Sequence, residues 1–150
     1  MKQVKLNSST IGGGAGFILM AGPCVLENET SAMKIAAYLK KLTDKLEIPF
    51  IFKASYDKAN RTSVAAYRGP GVRAGLKILK NIREKIGAPV LSDVHRFEEI
   101  DEAAGVLDVM QVPAFLCRQT DFVVEVAKKA KIVNVKKGQF LAPWDVANII

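Results

Sequence analysis

The sequence predicts an α/β fold built on a parallel sheet, and three observations carry that prediction. Short apolar runs at residues 17–21, 49–52, 89–91, 108–112 and 132–135 alternate with longer amphipathic segments. Each run is bounded by Gly, Pro or charge, the pattern of a buried strand and not of a helix. The residues able to do chemistry stand just past the runs. Cys24 follows the first, Lys53 and Lys58 the second, Asp93 and His95 the third, Arg118 the fourth and Lys136 the fifth. Strand–helix alternation implies parallel strands joined by right-handed crossovers. In such folds ligands bind at the C-terminal ends of the strands. Two architectures fit: an open, doubly wound five-stranded sheet, or part of a (β/α)8 TIM barrel, which takes roughly 250 residues.

Residues 1–16 read as an N-terminal extension, with residues 4–6 and 10–11 able to form a small hairpin. The glycines from Gly12 to Gly16 are a turn and not a dinucleotide fingerprint: no strand precedes them, and Phe17 stands where the third glycine belongs. Residues 17–150 read as one domain. The first helix begins near Thr30, capped by Thr30 or Asn28, with Ala32, Ile35, Ala36, Leu39, Leu42 and Leu46 on one face. Tyr67 to Gly71 is turn chemistry, with Pro70 placed to open a second helix. That helix buries Leu76, Leu79, Ile82 and Ile86 and ends at Gly87. Glu98, Glu99 and Asp101 suit the positive end of a third helix. A fourth shows Phe122, Val123, Val126, Ala127 and Ala130 on one face. Pro143 opens a fifth, which the chain enters and does not finish; that favours the barrel, because a complete five-stranded domain should close with a full helix.

With 150 residues, 49% of them hydrophobic, the chain can bury a real core as a soluble domain. The net charge of +7 admits nucleic acid, acidic lipid or anionic metabolites as partners. Nucleic acid is the weaker reading, since there is no long Lys/Arg run and the aromatics do not alternate with the basic residues. Two cysteines outside any CxxC do not make a disulfide scaffold. No run is long enough to cross a membrane. Residues 17–24 loosely resemble a lipoprotein cleavage site, but the apolar core is too short and Pro23 precedes Cys24, so export is rejected. Without export, the sequons at Asn7, Asn28 and Asn60 carry no meaning.

The densest chemistry lies in FKASYDKANRTS, from Phe52 to Ser63. Crowding Lys53, Lys58 and Arg61 at a strand's end is costly unless an anion sits among them. That points to a multiply charged anionic substrate. Arg61 can grip phosphate with two parallel hydrogen bonds, and a lysine ammonium is a compact point charge for carboxylate or phosphate. Asp93 and His95 stand at i and i+2, on one side if the strand continues, where Asp93 could accept hydrogen bonds. His95, the only histidine, titrates in the range that suits proton transfer, although a lone histidine is more often structural. Cys117 reads as a small buried hydrophobe, Lys137 as a solvated neighbour of Lys136, and Trp144 as packing.

AGPCVLEN, FKASYDKANRTS, SDVH, QVPAFLCRQTD and VNVKKGQFLAPWD occur in that order from about residue 17 to the last. Together they resemble the 3-deoxy-D-manno-octulosonate 8-phosphate synthases. The family is similar to the aromatic-pathway heptulosonate phosphate synthases, but KANR and PAFLCRQTD point to the octulosonate branch. The resemblance implies a cytoplasmic homotetramer of (β/α)8 barrels, of which this chain holds about the first five strands. It implies condensation of phosphoenolpyruvate with D-arabinose 5-phosphate and water, releasing phosphate, for lipopolysaccharide. Lys58, Asp93 and His95 would be catalytic. Lys53 and Lys58 match lysines beside phosphoenolpyruvate, and Asn60, Arg61 and Ser63 match the arabinose 5-phosphate side. Gln111, Ala114 and Arg118 match a segment that lines the phosphoenolpyruvate pocket and reaches across a subunit contact. Lys136 matches a phosphate-binding lysine. Cys24 matches a ligand to a divalent metal (zinc, iron(II) or manganese) in one subfamily; the other has asparagine there. The family's remaining metal ligands and a phosphate-binding arginine match nothing before Ile150, so the isolated chain is expected to be inactive.

Overall fold

The computed structural model describes residues 3–150. Its centre is a five-stranded, all-parallel sheet in the order β3 (Leu19–Ala21), β4 (Phe50–Lys53), β5 (Val90–Asp93), β6 (Val109–Val112) and β7 (Val133–Val135). Neighbours in sequence are neighbours in space throughout, and the sheet curls into a half-barrel. A doubly wound sheet would have reversed direction after the first pairing, giving the order 2-1-3-4-5; the sequential order excludes it.

Alternate strand residues reach two separate cores, as a period of two demands. Phe50, Phe52, Val90, Met110 and Val112 face outward into the larger core. There they meet Ala32 and Ala36 of α1 (Glu29–Lys45), Leu76, Leu79 and Ile82 of α2 (Val72–Ile86), Ile100 and Ala103 of α3 (Ile100–Ala104), and Phe122 and Val126 of α4 (Thr120–Lys129). Ile51, Leu91 and Val109 face inward with Ile18, Met20 and Ile132. The expected hairpin is present: β1 (Val4–Leu6) pairs antiparallel with β2 (Ser9–Ile11), and Leu6 is buried in the inner core. The hairpin thus caps the apolar floor of the half-barrel.

Asn28 caps α1 by accepting a 2.9 Å hydrogen bond from the Ser31 N–H. Gly87 ends α2 in the left-handed conformation, φ 74°, which glycine adopts without strain. The face of α1 differs from the sequence expectation. Ala32, Ala36 and Thr43 are buried, while Ile35, Leu42 and Leu46 are exposed. Small residues let the helix approach the sheet, and the Thr43 hydroxyl satisfies itself by donating to the Leu39 carbonyl at 2.9 Å. On α4, Ala127 is likewise exposed. Residues Pro143–Asn148 form a 3-10 helix, and Trp144 is 78% exposed, not packed as expected.

Candidate active site

Each inner strand becomes polar two residues beyond its apolar floor. Ile51 is followed by Lys53 and then Ser55, Leu91 by Asp93, Val109 by Gln111, and Ile132 by Asn134. The register brings these residues level. Asp93 pairs with Gln111 and Gln111 with Asn134, while the Lys53–Leu91 pairing sets Ser55 beside Asp93. The result is a hydrogen-bonded row across four strands. Ser55 Oγ donates to Asp93 Oδ2 at 2.6 Å, Gln111 Nε2 donates to Asp93 Oδ1, and Asn134 Nδ2 donates to Gln111 Oε1 at 2.7 Å. Lys58 closes one end, its Nζ donating to Ser55 Oγ at 2.9 Å and standing 4.0 Å from Asp93 Oδ2.

Above the row lies a cavity of about 490 Å³ lined by Lys58, Asn60, Asp93, His95, Ala114 and Lys136, among others. Burial opposes ionisation of Asp93, but the hydrogen bonds from Ser55 and Gln111 and the charges of Lys53 and Lys58 outweigh it. Its carboxyl therefore sits below the usual range and is ionised at neutral pH. Burial lowers the pKa of Lys53; Asp93 opposes that shift, and the neighbouring Lys58 and Lys136 add to it. Burial also lowers His95, against the pull of Asp93, Glu99 and Asp57, so the imidazole is neutral at pH 7.

The 57–68 loop is drawn shut at its base. Arg68 donates to Asp57 through Nε at 2.9 Å and Nη2 at 2.6 Å, and the Lys58 N–H donates to the Arg68 carbonyl at 2.7 Å. Arg61 and Ser63 lie in the exposed part of this loop. Arg61 Nε donates to the Tyr67 carbonyl at 3.0 Å, and Ser63 Oγ accepts from the Ala65 N–H at 3.3 Å. Neither lines the cavity. Arg118 lies outside it too, in a separate cavity of about 130 Å³ with Cys117 and Ile149. Cys117 is buried, as expected. Lys137 is exposed, as expected, and its Nζ also donates to the carbonyls of Gly138 at 2.8 Å and Leu141 at 2.9 Å, tying down the loop after β7.

Cys24 is exposed just past β3. Gly22 allows the close approach of that segment to β4, since a Cβ there would lie 2.1 Å from the Lys53 carbonyl oxygen. A thiolate is a soft donor suited to zinc or iron(II). Among the described residues, however, no three His, Cys, Asp or Glu side chains gather to hold a metal. This donor set alone does not make a metal centre.

Sequence reasoning singled out neither Ser55 nor Asn134 individually, and passed over Asp57, Arg68 and the second role of Glu99. Asn134 carried a signal, as a polar residue inside an apolar strand in phase with the inner face. Glu99 was read as a helix-dipole residue, yet it is buried, while Glu98 is exposed.

The DAHP synthetase I family model matches residues 2–150. The 2-dehydro-3-deoxyphosphooctonate aldolase of Geotalea uraniireducens (strain Rf4) is 56% identical over 149 residues, covering 99% of this chain and 55% of that protein. The protein of the same name from Desulfosudis oleivorans is 56% identical over 147 residues, covering 98% and 53%. That from Geobacter sulfurreducens is 51% identical over 149 residues, covering 99% and 55%. The chain spans about half the length of the curated relatives it matches. A parallel half-barrel with a polar row at its C-terminal rim, matched along its whole described length, makes this chain a member of the DAHP synthetase I family.

Proposed function

We propose that this chain supplies part of the substrate site of a synthase joining phosphoenolpyruvate, D-arabinose 5-phosphate and water into 3-deoxy-D-manno-octulosonate 8-phosphate, a step toward lipopolysaccharide. One observation carries the reading: Lys58 and Lys136 line the cavity with the carboxylate of Asp93, and the charge of Lys53 acts on Asp93, Lys58 and Lys136 from the same rim. The two acids behind them, Asp57 and Glu99, are already paired with Arg68 and Arg96. The lysine excess is left for an anion, and phosphoenolpyruvate brings a carboxylate and a phosphate.

In this reading Lys53, Lys58 and Lys136 hold phosphoenolpyruvate beside Gln111 and Ala114, while Asn60, Arg61 and Ser63 hold the arabinose 5-phosphate. The methylene carbon of the enol bonds to the aldehyde carbon, whose oxygen takes a proton. Water adds its oxygen to the enol's second carbon, and the bond from that carbon to the phosphate oxygen breaks, releasing inorganic phosphate. Ionised Asp93 accepts hydrogen bonds from the sugar hydroxyls. Neutral His95 presents a lone pair able to take a proton from water or a hydroxyl. Cys24 would contribute one donor to a divalent metal, zinc, iron(II) or manganese, completed from outside the described residues. Two free cysteines suit a reducing compartment, in keeping with a cytoplasmic enzyme. We place Arg118, outside its own chain's cavity, at a neighbouring subunit of a homotetramer.

The test is phosphate release by the whole enzyme that contains this chain. Release should require both substrates together. Faster release with a four-carbon aldose phosphate than with arabinose 5-phosphate would move the enzyme to the heptulosonate branch.

A further inference from the structure

Behind the cavity, His95 and Glu99 form a pair that the reading above does not use. The chain leaves β5 at Asp93 and winds into a 3-10 turn, Phe97–Glu99, which returns the Glu99 carboxylate beneath His95. Glu99 is 4% exposed. Its Oε2 accepts the His95 main-chain N–H at 3.0 Å and the Tyr56 hydroxyl at 3.0 Å. The same oxygen lies 4.0 Å from His95 Nδ1. Nδ1 and Glu99 Oε1 are both buried without a hydrogen-bond partner. Arg96 Nη1 stands 3.4 Å from Oε1, an ion-pair separation without hydrogen-bond geometry. The carboxylate thus lies within 4.0 Å of a buried imidazole nitrogen that has no other hydrogen-bond partner among the described residues.

We propose that Glu99 is a positioning residue that holds the His95 imidazole in its Nδ1–H tautomer, leaving the Nε2 lone pair for the substrate cavity. The opposite tautomer would aim the Nδ1 lone pair at a carboxylate oxygen, lone pair against negative charge. The tautomer of a histidine is set by what its second nitrogen meets, and here that is an acid. A 4.0 Å separation is longer than a hydrogen bond. Contacts of this kind are often long in ligand-free sites and tighten in the substrate complex. The ring is held edge-on by Tyr56, with centroids 6.4 Å apart. The charged groups around it are Asp93 from β5, Asp57 from the loop after β4, and Glu99 and Arg96 from its own turn. Of the three carboxylates, only that of Glu99 has an oxygen within 4.0 Å of Nδ1 among the described residues; Asp93 lies in the row at the cavity.

This inference rests on the proposed role of His95, but its first test does not need substrate. His95 is the only histidine of the chain, so selective imidazole ¹⁵N labelling of untagged protein gives the signals of one ring. At neutral pH we expect a protonated Nδ1 and an unprotonated Nε2. Glu99→Gln, close to isosteric and still able to accept from Tyr56, should move the ring toward the Nε2–H tautomer and lower its titration midpoint. Nε2–H in the unsubstituted chain would overturn the proposal even if the variant failed to fold. So would a variant whose tautomer and midpoint stay where they were. In the whole enzyme, Glu99→Gln should lower kcat by about tenfold or more, with a smaller effect on KM. An unsubstituted enzyme with the Nδ1–H tautomer but no condensation activity would sink the proposed reaction and leave the positioning role standing.

Discussion

Replacing Lys58 with alanine removes one cation from the rim and leaves the row beneath it in place. Lys58 Nζ lies 4.0 Å from Asp93 Oδ2 and donates to Ser55 Oγ at 2.9 Å, and its side chain is 15% exposed. At an effective dielectric of about 20, the bare attraction across that separation is roughly 4 kcal/mol, most of it offset by desolvation. Asp93 keeps its hydrogen bonds from Ser55 and Gln111 and the nearby charge of Lys53, so the fold should survive. On the proposed reading the variant loses a charge-assisted contact to phosphoenolpyruvate, worth about 1.5–3 kcal/mol, or roughly tenfold to a hundredfold. The assay is steady-state phosphate release by the whole enzyme with phosphoenolpyruvate varied and arabinose 5-phosphate saturating. We expect kcat/KM for phosphoenolpyruvate to fall within that range while the unfolding midpoint stays put. An unchanged kcat/KM would show that the lysine cluster does not hold the enol phosphate and would move the site elsewhere.

Three further outcomes follow from the same geometry. Gly75→Ala should lower the thermal midpoint, because the added Cβ would lie 2.2 Å from Tyr56 Cβ; overpacking costs about 1–3 kcal/mol, against a helix-propensity gain of up to about 1 kcal/mol. A midpoint that rises instead would show that α2 slides freely over Tyr56. Burial holds the folded pKa of His95 below its ordinary value of 6.5, so the unfolded chain binds the proton first and stability is lost as pH falls below that value. Chemical denaturation should accordingly show His95→Gln losing less stability than the unsubstituted chain between about pH 7 and about pH 5, and equal losses would contradict the buried neutral ring. Chelation of the whole enzyme should abolish activity that zinc, iron(II) or manganese restores, with Cys24→Asn freeing it from metal; chelator-resistant activity would remove the support for Cys24 as a ligand.

Much of the fold was legible because it depends on local pattern. The five apolar runs lie within a residue or two of β3 to β7, and glycine at position 87 identified the end of α2 before any contact was known. The inner side of α1 was not legible from hydrophobicity. Leu42 and Leu46 look like core residues, but a helix lying close on a sheet favours the smaller Ala32 and Ala36 at the contact. Strand order was open as well, since both candidate architectures use the same alternation. It was decided by which strands pair, a property of long-range contacts and not of any window of sequence.

The site divides along the same line. Lys58, Asp93 and His95 stand out because charge beside a buried strand is expensive and therefore conspicuous. Ser55, Gln111 and Asn134 are ordinary polar residues taken singly. They become a row through register: moving β6 by one residue against β5 would turn Gln111 away from Asp93 and leave a buried carboxylate with one hydrogen bond fewer. The inner face thus couples folding to charge placement. The apolar floor of Ile51, Leu91, Val109 and Ile132 fixes the register, and the register sets the polar rim two residues higher. Glu99 escaped notice for a different reason. An acid in a first helical turn already has an explanation in the backbone dipole, and that explanation holds for Glu98. What separates the two is burial beneath Tyr56 and His95, which arises only once the chain turns back under its own strand.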